Sequence, residues 1–200
     1  MLDKAIEAFS GVIAMDGANG ISVAVGNMTF ATWMGYAEVF VTHPNIATNI
    51  QDASRLLTAE VLTEKAGEIV DLALRYPDMS AGHNFIGKVN PAVRAKTSVH
   101  PVWADARTVF SLGLDWSNDA SASEKKRLKE QLVQASLELE RIVGIDGGTY
   151  INEANPYEPH WQAAFWGSNY ESLLEIKRRI DRTNLMVCNR CIGTDFVYNP

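Results

Sequence analysis

The sequence predicts an α+β fold in which helices pack on one face of an antiparallel β-sheet. Three observations lead to this prediction. Residues 109–116 alternate between small or polar and large apolar side chains, residues 128–142 repeat apolar side chains at helical spacing, and turn signals separate the strand-like segments from the helical ones. The chain has 200 residues, 46% of them apolar, which is enough to bury a compact core.

The N-terminal part of the sequence predicts a helix, two strands and then a helical segment. Residues 1–15 form an amphipathic pattern. Alternation at 21–26 and the dense aromatic and β-branched residues of 30–41 indicate two neighbouring strands. From 49 to 76 the apolar residues recur at helical spacing, which predicts one or two helices that end at Pro77.

The next part of the sequence predicts a strand followed by a long helix. A short apolar run at 85–89 indicates a strand or turn within a long connection, and residues 109–116 carry a strong strand pattern. Ser121 and Glu124 then form a capping box for a helix that extends to Gly144.

Two further elements are predicted near the C-terminus. A Gly-Gly turn leads into a short extended piece at 149–152. Ser168 and Glu171 form a second capping box, which predicts that the last helix starts at Ser168.

The charge balance restricts the possible partners. The chain carries 18 basic and 24 acidic side chains and has a formal net charge of −6, so we expect no nucleic-acid partner and no anionic membrane surface. The sequence contains no apolar run of the roughly 18 to 20 residues that a membrane span needs. Asp3 and Glu7 make the N-terminus unlike a secretion signal, so a cytoplasmic location is expected.

The two cysteines, Cys188 and Cys191, form a Cys-x-x-Cys motif. None of the four histidines has finger-like spacing to this pair, and a structural zinc site needs four ligands. We therefore expect thiols in a reducing compartment and no metal site.

A set of segments from about Thr97 onward carries a family resemblance: Thr97–Trp103, Gly148–Asn155, Trp161, Phe165–Tyr170, Leu173, Lys177, Asp181 and Cys191–Gly193. Over these segments the sequence resembles the C-terminal half of berberine bridge enzyme-like FAD-linked oxidoreductases, and the tail is most similar to the branch found in fungal secondary metabolism. The resemblance implies a substrate-binding-like domain at 1–146 and a berberine-like tail at 147–200 that docks on it. The family commonly has Asp-Pro after its last helix, whereas this chain has Asp181-Arg182, which lacks the stop that proline supplies.

The resemblance also implies where the cofactor binds. In the family an N-terminal domain holds FAD with a glycine-rich loop, and the early glycines of this chain occur instead in turns. We therefore expect no cofactor on this chain alone, and FAD only if a separate flavin domain exists. The family's Tyr-x-Asn motif, which faces flavin and substrate, maps onto Tyr150 and Asn152.

Further candidates come from residue chemistry. His100 could act as an acid or base near neutral pH, or it could be a hydrogen-bonded histidine in a turn. Glu38 lies among apolar residues and would have a raised pKa if it faced a pocket, although it could equally face water. Five aromatic residues could line a substrate pocket or fill the core, namely Trp33, Tyr36, Phe110, Trp116 and Trp166.

Two functional hypotheses follow from these candidates. In the first, the chain is a cofactor-independent tailoring enzyme that cyclises, isomerises or dehydrates a hydrophobic small molecule, with Tyr150, His100 and Glu38 as catalytic groups. In the second, it is half of a two-chain flavin oxidase or a binding module without activity. Both hypotheses leave an apolar face where the flavin domain is missing, so a homodimer or a partner chain is expected there.

Overall fold

The computed structural model describes residues 2–17, 23, 28–40, 49–87, 90 and 96–194. The chain forms two compact units, residues 1–46 and residues 47–200. The domain boundary that the sequence predicts at residue 146 falls inside the second unit and stays a prediction.

The described residues of the first unit form three helices, α1 (Leu2–Ala8), α2 (Ser10–Ile13) and α3 (Trp33–Phe40). Helices α1 and α2 confirm the predicted N-terminal helix, with a break at Phe9. No helix in the described part of the chain is long and apolar enough to span a membrane.

The strand predicted at 30–41 is wrong, because α3 occupies most of it. The hydroxyl of Thr32 accepts the backbone N–H of Gly35 at 3.2 Å, as an N-cap residue does. This local bond stabilises a helix start, whereas the aromatic residues of the segment have high β-propensity. The strand predicted at 21–26 lies outside the described residues, apart from Val23.

The second unit contains a three-stranded antiparallel sheet in the order β1-β3-β2. Its strands are β1 (Ile50–Thr58), β2 (Ser80–Phe85) and β3 (Ala106–Asp115). Strand β3 confirms the strand predicted at 109–116, and β2 lies mostly before the run predicted at 85–89.

The helix predicted from residue 49 is wrong over β1 and correct after it. Ala53 to Leu57 are all buried, so the middle of this strand shows no apolar and polar alternation. The spacing of Ile50, Ala53 and Leu57 consequently resembles a helical repeat. Two helices follow the strand, α4 (Ala59–Glu64) and α5 (Ala66–Arg75).

The long helix α6 (Ala122–Val143) packs with α5 on one face of the sheet. The hydroxyl of Ser121 accepts the backbone N–H of Glu124 at 3.2 Å, which confirms half of the predicted capping box. Buried leucines of α6 pack against Phe110, Leu112 and Leu114 of β3 and form the main core. The predicted α+β fold, with helices on one face of an antiparallel sheet, is therefore confirmed.

The segment 147–194 attaches to the free edge of β1. The backbone N–H of Leu56 donates to the carbonyl of Gly148 at 3.0 Å, and the hydroxyls of Ser54 and Thr149 lie 2.7 Å apart. Residues 149–152 were predicted as extended, but Ile151–Glu153 forms a turn of 3₁₀ helix.

Two helices follow in this segment, α7 (Trp161–Trp166) and α8 (Tyr170–Ile180). The capping box predicted at Ser168 is wrong, because Gly167–Asn169 forms a 3₁₀ turn and Asn169 is the N-cap residue. The side-chain amide of Asn169 donates instead to the carbonyl of Val99 at 2.8 Å.

Side-chain contacts hold the last described residues after the end of α8. The carboxylate of Asp181 accepts the backbone N–H groups of Leu185 and Met186 at 2.8 and 2.9 Å. The expectation of free thiols is wrong, since Cys188 and Cys191 form a disulfide with their Cα atoms 5.3 Å apart. The turn between them brings the two cysteines within bridging distance, which spacing alone did not reveal.

Candidate functional site

The face of the sheet opposite α6 carries small and polar residues. The strand pairing arranges them in three rows, each with one residue from β1, β3 and β2. We call this the second face; its rows are Asp52-Gly113-Ser80, Ser54-Ser111-Gly82 and Leu56-Val109-Asn84. Ser80 and Gly82 are exposed, so the first two rows are open to solvent on the β2 side.

The first row brings a carboxyl and a hydroxyl group together above a glycine. A Cβ atom built on Gly113 would lie 2.7 Å from Asp52 Oδ1 and 2.8 Å from Ser80 Oγ. Partial burial raises the pKa of Asp52. A half-buried carboxyl of this kind beside a hydroxyl can accept a hydrogen bond or a proton from a bound hydroxyl group.

Sequence reasoning missed Asp52 because β1 was predicted as a helix. The polar half of β3 was visible, since Ser111 and Gly113 alternate with the large apolar residues. A correct strand assignment for residues 50–58 would have placed Asp52 and Ser54 together on one face of β1. The strand register then places that face beside Ser111 and Gly113.

Tyr150 lies at the opposite end of the second face. Its ring packs with Trp103 against Leu56 and Val109, and the two aromatic rings meet edge to face with centroids 5.7 Å apart. The side-chain amide of Asn152 donates to the Tyr150 hydroxyl oxygen at 2.8 Å. The phenol therefore receives one hydrogen bond and keeps its own proton for a further acceptor.

His100 lies behind Tyr150, next to a small cavity of about 130 Å³. Only 3% of His100 is exposed, and its Nδ1 accepts the backbone N–H of Val102 at 3.2 Å. Burial lowers the pKa of His100, while the Ala163 backbone and the Asp146 charge oppose this effect. The neutral ring can thus organise the start of the 3₁₀ helix at Pro101–Ala104.

The structure brings together four of the sequence-predicted site residues and leaves five elsewhere. Tyr150, His100 and Trp166 line the same cavity, and Asn152 is bonded to Tyr150. The remaining five are distributed over three places: Phe110 in the core on the α6 side, Trp116 in a groove beside α6, and Trp33, Tyr36 and Glu38 on α3 of the first unit. Their catalytic and binding roles stay predictions.

The described residues suit the ring system of a flavin cofactor better than its pyrophosphate. A dinucleotide pyrophosphate needs backbone N–H groups in a glycine-containing turn between a strand and a helix. Within the described ranges, the connections from β1 to α4 and from β3 to α6 contain no glycine. The second face, with Gly82 and Gly113 among small polar groups, can instead lie against a flat ring system or a substrate.

Comparison with known proteins shows which proteins this chain is similar to. Residues 149–192 match the family model "Berberine and berberine like". The chain is 46% identical over 198 residues to an uncharacterized FAD-linked oxidoreductase of Arthroderma benhamiae, covering 99% of this chain and 34% of that relative. It is also 38% identical over 112 residues to the FAD-linked oxidoreductase ffsJ of Aspergillus flavipes, covering 54% of this chain and 18% of that protein.

The fold matches solved structures over nearly the whole chain. A VAO-type flavoprotein from Myceliophthora thermophila C1 superimposes with a TM-score of 0.77 at 20% sequence identity, covering 98% of this chain and 36% of that one. The resemblance to berberine bridge enzyme-like FAD-linked oxidoreductases is confirmed. The chain spans about a third of the length of the Arthroderma benhamiae relative and of the VAO-type flavoprotein.

Proposed function

We propose that this chain forms the substrate-side wall of an FAD-linked oxidoreductase site and works together with a flavin-binding polypeptide. The observation that carries this proposal is the second face, where Asp52, Ser80 and Gly113 form an open polar surface and Tyr150 stands at the opposite end. The names of the fungal relatives support it, because each is called an FAD-linked oxidoreductase.

The residues of the second face have distinct roles in this proposal. A bound FAD would supply the acceptor for the two electrons that a substrate carbon loses. The Asp52 carboxyl accepts the proton of a substrate hydroxyl. The hydroxyl of Ser80, which donates to the Gly113 carbonyl at 3.3 Å, turns to donate a hydrogen bond to the same substrate oxygen. Tyr150, oriented by Asn152, donates a hydrogen bond to a second oxygen of the substrate. Trp103 supplies apolar contact for a hydrophobic substrate.

The cofactor-independent role is the second candidate, and the arrangement of Tyr150 beside His100 supports it. A drug-sized small molecule needs an enclosed pocket of about 300 to 1,000 Å³. The cavity that Tyr150 and His100 line has a volume of about 130 Å³. This cavity is therefore too small to hold a drug-sized substrate. The open second face, covered by a second polypeptide, is the better substrate site.

A chimera tests the proposal. This chain replaces the segment that it matches in the Arthroderma benhamiae relative, and the purified chimera is compared with the 200-residue chain for flavin absorbance. A panel of hydrophobic alcohols and phenols is then added without oxygen, and bleaching of the flavin band is followed. We expect only the chimera to hold flavin and to be reduced.

Substitutions assign the roles in the same assay. Asp52→Asn and Tyr150→Phe should each slow flavin reduction at least about tenfold while flavin stays bound, because each removes a group that meets the transition state. The control Glu60→Gln changes an exposed acid on α4 and should leave the rate unchanged. Conversion of the same compounds by the flavin-free 200-residue chain would favour the cofactor-independent role instead.

A further inference from the structure

A second cavity lies on the other side of the sheet, against α6. It has a volume of about 340 Å³, within the range of about 300 to 1,000 Å³ typical of small-molecule sites. We call it the lysine groove, and it is defined by Leu114, Trp116, Lys125, Lys126, Lys129 and Tyr157.

The floor of the lysine groove consists of apolar side chains that are packed into the core. Leu114 of β3 is 2% exposed, and Leu132 of α6 is fully buried. Trp116 continues β3 and packs against the same core, so the floor has a broad aromatic surface at one end. Such a floor fits a flat or short-chain apolar body, because contact removes that body from water.

The rim of the lysine groove is positive in a chain whose net charge is −6. Lys125 and Lys129 lie four residues apart on α6, with Leu128 and Leu132 on the same side, so helical spacing brings charge and apolar floor together. Lys129 Nζ lies 3.5 Å from the centre of the Tyr157 ring, which holds this ammonium group at the edge of the groove.

The residues that line the lysine groove include no aspartate or glutamate. The Nζ of Lys126 lies 3.8 Å from Glu130, which does not line the groove, in an exposed ion pair that contributes little to stability. Three ammonium groups above an apolar floor thus favour a ligand that carries a negative charge at one end only.

From this geometry we infer that the lysine groove binds a small apolar anion, such as an aromatic or short-chain carboxylate. The site is separate from the proposed flavin-facing surface, yet it lies directly across the sheet from it. Gln51 and Leu114 pair on the groove side, and the next pair along the strands, Asp52 and Gly113, belongs to the second face. The inference does not depend on the proposed function, because it concerns binding alone.

Calorimetry and NMR on the 200-residue chain test this site with 1-naphthoate as the probe and 1-naphthalenemethanol as its uncharged counterpart. We expect naphthoate to bind at least about tenfold more tightly, with an affinity that falls as salt is added. The indole N–H signal of Trp116, assigned with Trp116→Phe, should shift on binding. Equal affinity for both probes, or no shift of that signal, would overturn the inference.

Charge-matched variants complete the test. The triple substitution Lys125→Gln, Lys126→Gln and Lys129→Gln should weaken naphthoate binding at least about tenfold, because the rim loses its positive charge. The control carries Lys4→Gln, Lys65→Gln and Lys96→Gln, which alter the net charge equally at positions outside the groove. An equal loss in both variants would show that only the overall charge matters and would refute a specific site.

Discussion

The buried ion pair of Arg55 and Glu158 is predicted to stabilise the packing of segment 147–194 on the sheet. Both side chains are buried, with 1% and 0% exposed, and two guanidinium nitrogens of Arg55 donate to the carboxylate of Glu158 at 2.9 and 3.1 Å. The hydroxyl of Ser136 on α6 donates to the same carboxylate. The pair therefore joins the sheet, the long helix and the berberine-like segment at one buried point.

Glu158→Gln removes the negative charge and keeps the shape. Removal of one partner from a buried ion pair lowers the free energy of unfolding by about 3 to 5 kcal/mol. We expect about 3 kcal/mol, the lower end of this range, because Glu140 Oε2 remains 3.8 Å from Arg55 and the carbonyls of Ser54 and Ser136 still accept from it. At a shift of roughly 2 to 4 °C per kcal/mol, the melting temperature falls by about 6 to 12 °C.

Urea and thermal unfolding followed by circular dichroism measure this change. The control Glu68→Gln breaks an exposed pair with Lys65 and should change the stability by less than about 1 kcal/mol. The double variant Arg55→Met with Glu158→Met should recover much of the loss, since no buried charge is left unpaired. A loss below about 1 kcal/mol for Glu158→Gln would refute the reasoning.

Four further substitutions test the stability of the fold. Gly167→Ala should lower the free energy of unfolding by at least about 2 kcal/mol in thermal melts, because the backbone φ is +53° and the new Cβ would lie 2.5 Å from His100 Nε2. Gly67→Ala, where the new Cβ enters open space on α5, should raise it by about 0.5 to 1 kcal/mol. Leu132→Ala, at a fully buried position, should lower the free energy of unfolding by about 2 to 5 kcal/mol in urea titrations. The Lys177 ammonium and two backbone N–H groups lower the pKa of Asp181 from 3.8 to about 2. The Asp181 carboxylate therefore stabilises the fold fully above pH 3.8, and this stabilisation is lost as the pH falls through about 2. Melts across this pH range should therefore show a steeper loss for the wild type than for Asp181→Asn, and parallel curves would contradict the assignment.

The sequence predicted some elements correctly because their signals are local. The capping residue Ser121 and the leucine repeat of α6 lie within one helix, so the helix could be read without knowledge of its neighbours. The alternation in β3 likewise separates a large apolar face from a small polar one. The wrong predictions at β1 and α3 arose where burial on both faces, or aromatic residues in a short helix, removed the periodic signal.

The candidate site was only partly predictable. The family resemblance indicated Tyr150 and Asn152 as site residues, which stays a prediction; in the structure the Asn152 amide donates to the Tyr150 hydroxyl oxygen. Asp52 and Ser80 could not be found in this way, because they come from two strands that are separated in sequence and meet only through β3. Cross-strand pairing at the register of Gly113 creates that cluster, and no local pattern encodes the register.

The sequence by itself determined the fold class, the long amphipathic helix and the resemblance of the C-terminal segment, including residues 149–192, to berberine bridge enzyme-like proteins. These features depend on spacing and motifs within short segments. Only the tertiary structure decided which polar residues share a face, which aromatic residues lie in the core, and how Arg55 reaches Glu158 across 103 positions of sequence. The physical reason is that strand register and burial are set by packing between distant segments, and these relations exist only in the folded chain.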